Sequence, residues 1–468
     1  MPTSKSGLHV LVFPFPAQGH MLPVLDFTHQ LAQHGFAITI LVTPKNLPIL
    51  NPLLSAHSSI QTLVFPFPHH PSIPCGAENV KDIGNHGTGP IIGALSKLND
   101  QLIQWFKAHH SPPDVILSDF FLGWTQDMAH QIGIPRIAFY TSGAFITSVF
   151  YHLWQNIESL VSKNVVNFVD LPKSPSFIWD HLPSVFRRYR KSDPDWEIVK
   201  NGMIANMSSW GSIFNTFDAL EEEYLQYLKK IMGHDRIFAV GPINLMGSPD
   251  RMGPCGSSTD TNQRVVKWLD GCPDRSVLYV CFGSQKSLSE AQMEALAAGL
   301  EQSGVRFIWV VMSTAQQMAQ GCRFVLDGFE DRVSGKGIVI KGWAPQVSTL
   351  SHWAVGGILC HCGWNSVLEA MVAGVKILGW PMEAEQFVNA RLLVDYLGAA
   401  FRICEGVDTV PDPIELACKI SQSMRKDTIE MVRARELQDK ALSTIKVGGS
   451  SKKNMDRLVK ELAQLQGH

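Results

Sequence analysis

The segment from Trp343 to Gln386 constrains the fold of this chain more than any other; it reads WAPQVSTLSHWAVGGILCHCGWNSVLEAMVAGVKILGWPMEAEQ. Its apolar run GGILC predicts a buried strand, HCGWNS predicts a tight turn, and a helix is predicted to begin near Ser366. In α/β proteins, a strand, a glycine-containing turn and a helix in this order point backbone N–H groups at a phosphate. The segment therefore predicts a parallel α/β sheet with a phosphate site at the turn.

Length and composition indicate a soluble protein of more than one domain. At 468 residues, two hydrophobic cores are expected rather than one. The net charge of −2 gives no electrostatic reason to expect nucleic acid or an anionic membrane as a partner. The basic run RRYRK at 187–191 is expected to be a solvated loop. Nine thinly spread cysteines indicate reduced thiols, and no stretch approaches the length of a membrane span. The N-terminal apolar run is broken by prolines and has no small-residue cleavage site, so it predicts a first strand and not a signal peptide. The expected location is therefore the cytoplasm.

Two stretches of alternating strands and helices organise the chain. The first stretch begins with the strand HVLVF, the loop PAQGH, a helix over MLPVLDFTHQLAQHG closed by Gly35, and the strand FAITILVT. Such a β-α-β start implies a parallel sheet. Residues 244–263 are rich in Gly, Ser and Pro and predict a linker, after which the alternation restarts. The expected division is a first domain over 1–243, the linker over 244–263, a second domain over 264–450 and a terminal amphipathic helix over 451–468.

Polar residues follow five of the predicted strands. Ligands of open parallel sheets bind beyond the carboxyl ends of the strands, so these residues are candidates for a site. They are His20, Asp119, Thr141, Ser284 and His361.

Side chains around the HCGWNS turn suit a nucleotide carrying a sugar. Trp343 offers a flat face to a base, Glu369 offers an acceptor to ribose hydroxyls, and Glu385 with Gln386 forms a polar pair for a sugar. Ser366 and Glu369 also have the spacing of a capping box, which would mark only a helix start. The two roles are compatible, because a capped helix still presents N–H groups to a phosphate.

Two strings superficially suggest a metal site, and both are disfavoured. In Cys360-His361-Cys362, alternate residues of a strand point to opposite faces and no second ligand pair lies nearby. Asp193-Pro194-Asp195 lies in a polar segment with no strand before it, where a surface loop is expected. No metal requirement is therefore predicted.

The motifs of the segment resemble a known family signature. WAPQ, HCGWNS, LE and P-x-x-AEQ in this register resemble the plant secondary-product glycosyltransferase box of the family 1 UDP-glycosyltransferases. The resemblance extends more weakly to PFPAQGH at 14–20, SDFF at 118–121, FYTS at 139–142, VGPI at 240–243 and CFGS at 281–284. It implies the GT-B fold, in which two Rossmann-like, doubly wound parallel-sheet domains face each other, and a terminal helix that crosses back to the first domain.

The resemblance also implies which residues hold a UDP-sugar donor. Gln386 resembles the residue found in glucose users, whereas His at that position is associated with galactose, so UDP-glucose is the expected co-substrate and no further cofactor is expected. The implied donor contacts are Trp343, Ala344, Gln346 and Glu369 for uridine, Ser284, His361, Asn365 and Ser366 for the phosphates, and Thr141, Trp364, Glu385 and Gln386 for the sugar.

His20 resembles the catalytic histidine of the family, and Asp119 resembles the aspartate that pairs with it. Such a pair suits the reaction, because a hydroxyl becomes a good nucleophile only as a base removes its proton. Asp119 has a simpler reading as the N-cap of the segment that follows it. Candidate acceptor contacts are Phe120, Phe121 and Phe145, although a Phe after a strand is often core. The implied acceptor is a small plant phenol such as a flavonoid, and a monomer is expected.

Alternatives remain open from the sequence. The same fold and mechanism would serve UDP-rhamnose, UDP-xylose or UDP-galactose, and a non-catalytic protein that binds a nucleotide sugar would share the box. A Rossmann dehydrogenase is poorly supported, since no G-x-G-x-x-G follows a strand in a β-α-β context.

Overall fold

The computed structural model describes residues 7–245, 259–283, 288–311 and 328–465. Ser284 and residues 246–258 of the predicted linker lie outside these ranges. The chain divides into two compact units: unit 1 combines residues 1–250 with 443–468, and unit 2 comprises residues 251–442.

Unit 1 is built on a seven-stranded parallel sheet in the order β3-β2-β1-β4-β5-β8-β9. Its strands are β1 (His9–Phe13), β2 (Ala37–Val42), β3 (Gln61–Val64), β4 (Val115–Asp119), β5 (Arg136–Tyr140), β8 (Gly211–Phe214) and β9 (Ile237–Ala239), and a separate antiparallel pair is formed by β6 (Val165–Asn167) and β7 (Ser176–Ile178). The chain order reverses between β1 and β4, which lie side by side with Val10 opposite Val115. A crevice at the carboxyl ends of these two strands is where such sheets bind ligands.

Helices pack against this sheet, and residues of both the strands and the helices form its core. They are Gln18–Gln33, Asn51–Ala56, Val80–Ile83, Thr88–Ser96, Asn99–Ala108, Thr125–Ile132, Ala144–Gln155, Ile157–Leu160, Ser184–Arg187, Pro194–Ala205, Asp218–Met232 and Ser450–Ala463. Short 3₁₀ turns are Pro44–Leu50, Asn85–Gly87, Phe120–Leu122, Trp179–His181, Asn206–Ser208 and Ile243–Leu245.

The first helix begins earlier than the sequence pattern indicated. Its apolar spacing starts at Met21, but the helix starts at Gln18, and the His20 N–H donates to the Ala17 carbonyl at 2.9 Å. His20 therefore lies in the first helical turn, whereas the PAQGH segment was expected to be a loop. A residue in a helix is held more firmly than one in a loop, which benefits a group that must keep a fixed orientation.

Unit 2 contains a six-stranded parallel sheet in the order β12-β11-β10-β13-β14-β15. Its strands are β10 (Val277–Cys281), β11 (Arg306–Val311), β12 (Gly337–Lys341), β13 (Val355–Cys360), β14 (Lys376–Gly379) and β15 (Ala400–Arg402). Its helices are Thr259–Asp270, Glu290–Ser303, Phe329–Arg332, Gln346–Leu350, Trp364–Ala373, Gln386–Arg391, Pro413–Ser423 and Ile429–Thr444, with a π-helical turn at Leu392–Tyr396. The chain order reverses between β10 and β13, so the HCGWNS turn after β13 lies at the second switch point.

The last helix, Ser450–Ala463, belongs to unit 1. Asn454 donates to the Ala239 carbonyl at 3.0 Å, and Arg457 donates to the Ile237 carbonyl at 2.8 Å, so both side chains bind the edge strand β9. Met455, Leu458 and Leu462 are buried in the same core cluster as residues of β1 and β2.

The Asp193-Pro194-Asp195 string is a helix start and not the loop that was expected. The Asp193 carboxylate accepts from the N–H groups of Asp195 and Trp196, with Pro194 as the first helical residue. Both features are typical of helix N-termini. Asp195 in turn contacts the His70 imidazole at 3.0 Å.

No helix in the described residues combines the length and apolar character that a membrane crossing requires.

Candidate active site

The switch point of unit 1 brings His20 and Asp119 together. His20 Nδ1 lies 2.9 Å from Asp119 Oδ2, although 99 residues separate them in the chain. The Asp119 side chain is completely buried, and the His20 side chain is 18% exposed. The pair forms because β1 and β4 are neighbours and parallel, so the residues after one strand meet the end of the other.

The second oxygen of Asp119 caps the turn that follows. Its Oδ1 accepts the Phe121 N–H at 2.9 Å, as expected of an N-cap for the turn Phe120–Leu122. Asp119 therefore both caps this turn and contacts the His20 imidazole. With one oxygen bound to backbone and the other to imidazole, the carboxylate has little freedom to rotate.

The bond to Asp119 determines which nitrogen of His20 is basic. A carboxylate accepts a proton donated by Nδ1, which leaves Nε2 with a lone pair in the neutral ring. Thr141, which is 6% exposed, places its hydroxyl 3.4 Å from the same Nδ1. The arrangement presents Nε2 as the atom that can take up a proton.

Three phenylalanines contact the His20 ring. Phe121 stacks on it with a centroid distance of 4.7 Å and an interplanar angle of 25°, and Phe120 stacks at 5.6 Å and 24°. Phe15 approaches edge-on at 5.3 Å. Phe120 and Phe121 also contact each other at 4.5 Å, so they stack on the same side of the imidazole and restrain its plane. Phe121 is partly exposed, and its ring suits a flat apolar molecule.

Phe145 lies apart from this group. It is 1% exposed and stacks on Tyr224 at 4.4 Å, within the packing of the helices Ala144–Gln155 and Asp218–Met232. The Phe145 ring offers almost no surface to a ligand, so Phe145 is a core residue and not an acceptor contact in this structure.

Two residues of this region were missed by sequence reasoning. Phe15 belongs to PFPAQGH, where an aromatic residue so close to His20 was a usable signal. Arg136 is 1% exposed and donates to the Asp119 carbonyl at 3.3 Å. The only sequence indication for Arg136 was a charged residue at the start of an otherwise apolar strand. The partners of Arg136 could not be predicted from the sequence.

The HCGWNS turn of unit 2 ends in a helix start, two residues earlier than expected. The helix is Trp364–Ala373, and Gly363, which has no side chain, is its N-cap. Ser366 and Glu369 do not form a capping box, since the serine already lies inside the helix. Gln346 Nε2 instead donates to Ser366 Oγ at 3.0 Å and to Glu369 Oε2 at 2.7 Å.

His361 lies between two glycines. A Cβ atom on Gly283 would come within 2.7 Å of the imidazole, and a Cβ on Gly363 would come within 2.6 Å. Cys362, next to the ring, has a φ of 63°, which is uncommon for a residue with a side chain. The turn thus depends on small residues on both sides of His361.

The other residues of the predicted donor set differ in exposure. Trp343 is partly exposed after β12, and Asn365 is partly exposed in the first turn of the helix Trp364–Ala373. Ala344 is 6% exposed and Trp364 is 3% exposed, so both pack mainly against protein.

Gln386 is bound to the backbone of its own turn. Its Oε1 accepts the N–H of Met382 at 2.9 Å and the N–H of Glu383 at 3.0 Å. These two bonds fix the amide orientation and leave its N–H₂ group as the part suited to a ligand. Glu385 lies at the N-cap position of the helix Gln386–Arg391 and is partly exposed.

No group of three or more His, Cys, Asp or Glu side chains placed to hold a metal ion occurs in the part of the chain that the structure describes. The two cysteines flanking His361 are both buried, at 0% and 1% exposure.

The two doubly wound sheets, each with polar groups at its switch point, define a transferase of the GT-B class. The model of the family "UDP-glucoronosyl and UDP-glucosyl transferase" matches residues 240–414. UDP-glycosyltransferase 89A2 of Arabidopsis thaliana is 50% identical over 98% of this chain and 96% of its own length. The chain belongs to the plant family 1 UDP-glycosyltransferases, which confirms the predicted family and enzyme class.

Two further relatives add detail. The Flavonol 3-O-glucosyltransferase UGT89B1 of Arabidopsis thaliana is 48% identical, over 98% of this chain and 96% of its own length. The solved structure of Arabidopsis thaliana UGT89C1 complexed with UDP-L-rhamnose is 40% identical with a TM-score of 0.81, over 98% of this chain and all of that chain. This likeness and the two parallel sheets confirm the predicted GT-B fold.

Proposed function

We propose that this enzyme transfers glucose from UDP-glucose to a hydroxyl group of a flavonoid or similar small phenol, with inversion at the anomeric carbon. The observation that carries the proposal is the 2.9 Å contact between His20 Nδ1 and the buried Asp119 carboxylate. It leaves a basic Nε2 beside aromatic walls, as proton removal from a flat phenolic acceptor requires.

The reaction is a single displacement. His20 Nε2 takes the proton of the acceptor hydroxyl while its oxygen forms a bond to C1 of the glucose. The bond between C1 and the phosphate oxygen breaks, and UDP leaves with the electron pair. Asp119 stays ionised and stabilises the imidazolium that forms, as the aspartate of a hydrolase triad does. One displacement inverts the α-configured donor, so the product is a β-glucoside.

Unit 2 supplies groups suited to the nucleotide. The helix Trp364–Ala373 begins after a glycine, which lets a ligand approach closely, and its positive dipole end is suited to a diphosphate. The bonds from Gln346 hold Glu369 in place for ribose hydroxyls. The partly exposed Trp343 is suited to stacking on uracil, which is worth about 1–3 kcal/mol for a base on an aromatic ring.

The choice of glucose rests on Gln386 and Glu385. Since the backbone occupies the Gln386 oxygen, the side chain approaches a sugar as a donor through its N–H₂ group. Glu385 then complements it as an acceptor for two adjacent hydroxyls. The flavonol glucosyltransferase named above supports glucose and a flavonoid acceptor, whereas the relative solved with UDP-L-rhamnose supports the alternative donor.

Donor competition tests this proposal directly. Purified enzyme is given a flavonol and equal concentrations of UDP-glucose, UDP-galactose, UDP-xylose and UDP-rhamnose, and products are identified by mass spectrometry and by the anomeric coupling in proton NMR. A β-glucoside is expected as the main product. A rhamnoside as the main product would show that the donor is UDP-rhamnose and not UDP-glucose. Binding of UDP-glucose without any product across a broad panel of phenols would indicate a non-catalytic binding protein.

Transfer is expected to continue in the presence of EDTA. Helix N–H groups and polar side chains are proposed to carry the charge of the diphosphate, so chelation should change the rate by less than about twofold. The initial rate is measured without EDTA, with EDTA, and with EDTA followed by an excess of Mn²⁺. Complete loss of activity that Mn²⁺ restores would contradict the proposal.

A further inference from the structure

The side chain of Arg136 is a buried cation beneath the end of β4, and the displacement described above does not use it. Arg136 is 1% exposed at the head of β5, and its four described hydrogen bonds all go to neutral acceptors. They are Ser118 Oγ at 2.9 Å, Asn206 Oδ1 at 2.7 Å, Ser209 Oγ at 2.8 Å and the Asp119 carbonyl at 3.3 Å.

This arrangement leaves the guanidinium charge without a directly bonded carboxylate. Burying an unpaired cation is costly, so the nearest anion gains from its field. Asp119 is bonded to Arg136 only through its backbone carbonyl, but its fully buried carboxylate belongs to the same residue. Both side chains are buried, so little water screens the attraction between their charges.

The anchors of Arg136 also reach the turn that Asp119 caps. Asn206 accepts from the guanidinium and donates through Nδ2 to the Phe120 carbonyl at 2.8 Å. Arg136 therefore holds the Asp119 carbonyl directly and the Phe120 carbonyl through Asn206, and this backbone carries aromatic residues that contact His20.

We infer that Arg136 is a positioning residue of the proposed base: its charge attracts the Asp119 carboxylate, and its hydrogen bonds hold the backbone that carries this carboxylate. This inference rests on the proposed roles of His20 and Asp119. Burial lowers the pKa of Arg136 to about 10, with Tyr140 and Asp119 acting in the opposite direction, so the guanidinium remains charged at neutral pH.

The sign of the effect follows from charge. Protonation of either Asp119 or His20 removes negative charge or adds positive charge near the guanidinium, so Arg136 opposes it. Removing the cation should therefore make the pair easier to protonate. As the pH falls, the variant would then lose the form of the enzyme that can accept a proton from the substrate at a higher pH than the natural enzyme does.

The test is the acid side of the pH profile of kcat/KM for one acceptor. Arg136→Met is expected to move this side upward by about one pH unit, which lowers kcat/KM roughly tenfold at any pH below it. Arg136→Lys retains the charge and should leave the acid side in place while lowering the rate. A purely structural role predicts loss of rate or stability in both variants without any movement of the profile.

A second pair of variants tests the charge without removing Arg136. Asn206→Asp puts a carboxylate beside the guanidinium and should also move the acid side upward. Asn206→Ala loses the same bond to Phe120 and adds no charge, so its profile should not move. This pair decides the matter if Arg136→Met does not fold, as judged by circular dichroism and UDP binding.

The outcomes separate the two hypotheses. If His20→Ala is inactive while Arg136→Met and Asn206→Asp both leave the acid side unmoved, the inference about Arg136 is wrong and the proposed base stands. If His20→Ala retains normal turnover, the proposed function itself fails.

Discussion

Replacement of His20 by alanine is expected to lower the rate of transfer about 10²–10⁴-fold, the usual contribution of general base catalysis. The ring is the only proposed proton acceptor, and alanine leaves the buried Asp119 carboxylate without its 2.9 Å partner. UDP binding should be retained, because all the described residues proposed to hold the nucleotide belong to unit 2. Single-turnover kinetics and calorimetric titration with UDP would measure the two effects separately.

Asp119→Asn is the companion variant for this prediction. The amide can keep the bond to the Phe121 N–H through its oxygen, but it cannot stabilise an imidazolium as a carboxylate does. We expect a smaller loss than in His20→Ala, roughly 10²-fold. Near-normal turnover in His20→Ala with unchanged UDP binding would show that another group removes the proton.

Gly123→Ala is expected to cause the largest loss of stability. Gly123 follows the turn Phe120–Leu122, and a Cβ at this position would lie 1.9 Å from the carbonyl oxygen of Gly202. Both groups are backbone, so no side chain can move aside, and the helix Pro194–Ala205 would have to shift. Overpacking of this kind costs about 3 kcal/mol or more, which corresponds to a melting temperature lower by roughly 6–12 °C.

Gly271→Ala is the matched control for this substitution. Its added Cβ would meet only the Trp268 carbonyl, at an ordinary 3.5 Å, and its φ is not in the left-handed region. Differential scanning calorimetry of the two variants isolates the steric effect from the general effect of adding a methyl group. Equal melting temperatures for both would show that the backbone contact at Gly123 relaxes at little cost.

The sequence predicted those parts of the fold that depend on local patterns. The strand HVLVF was predicted over 9–13, as the structure has it, and the pair His20–Asp119 followed from strand ends together with the family resemblance. The prediction of a capping box at Ser366 and Glu369 was wrong, because the same spacing also allows both side chains to bind a third residue. That residue is Gln346, which lies 20 residues from Ser366 and 23 residues from Glu369 in the chain.

Contacts between distant elements were not predictable. The guanidinium of Arg136 binds Asn206 and Ser209, which lie 70 and 73 positions further along the chain. Sequence periodicity carries no information about contacts at this separation. The approach of Gly123 to Gly202 is likewise a property of two elements packed together. Phe145 was selected for its position after a strand, but burial depends on the helix Asp218–Met232 that covers it.

The return of the last helix to unit 1 has a consequence for protein engineering. Because Met455, Leu458 and Leu462 complete a core begun by the first strands, one crossover in the connecting segment cannot exchange this unit between relatives. A chimaera with a native core needs two junctions, one in the connection before the helix Thr259–Asp270 and one close to residue 443. During synthesis on the ribosome, the same core stays incomplete until the final helix has emerged.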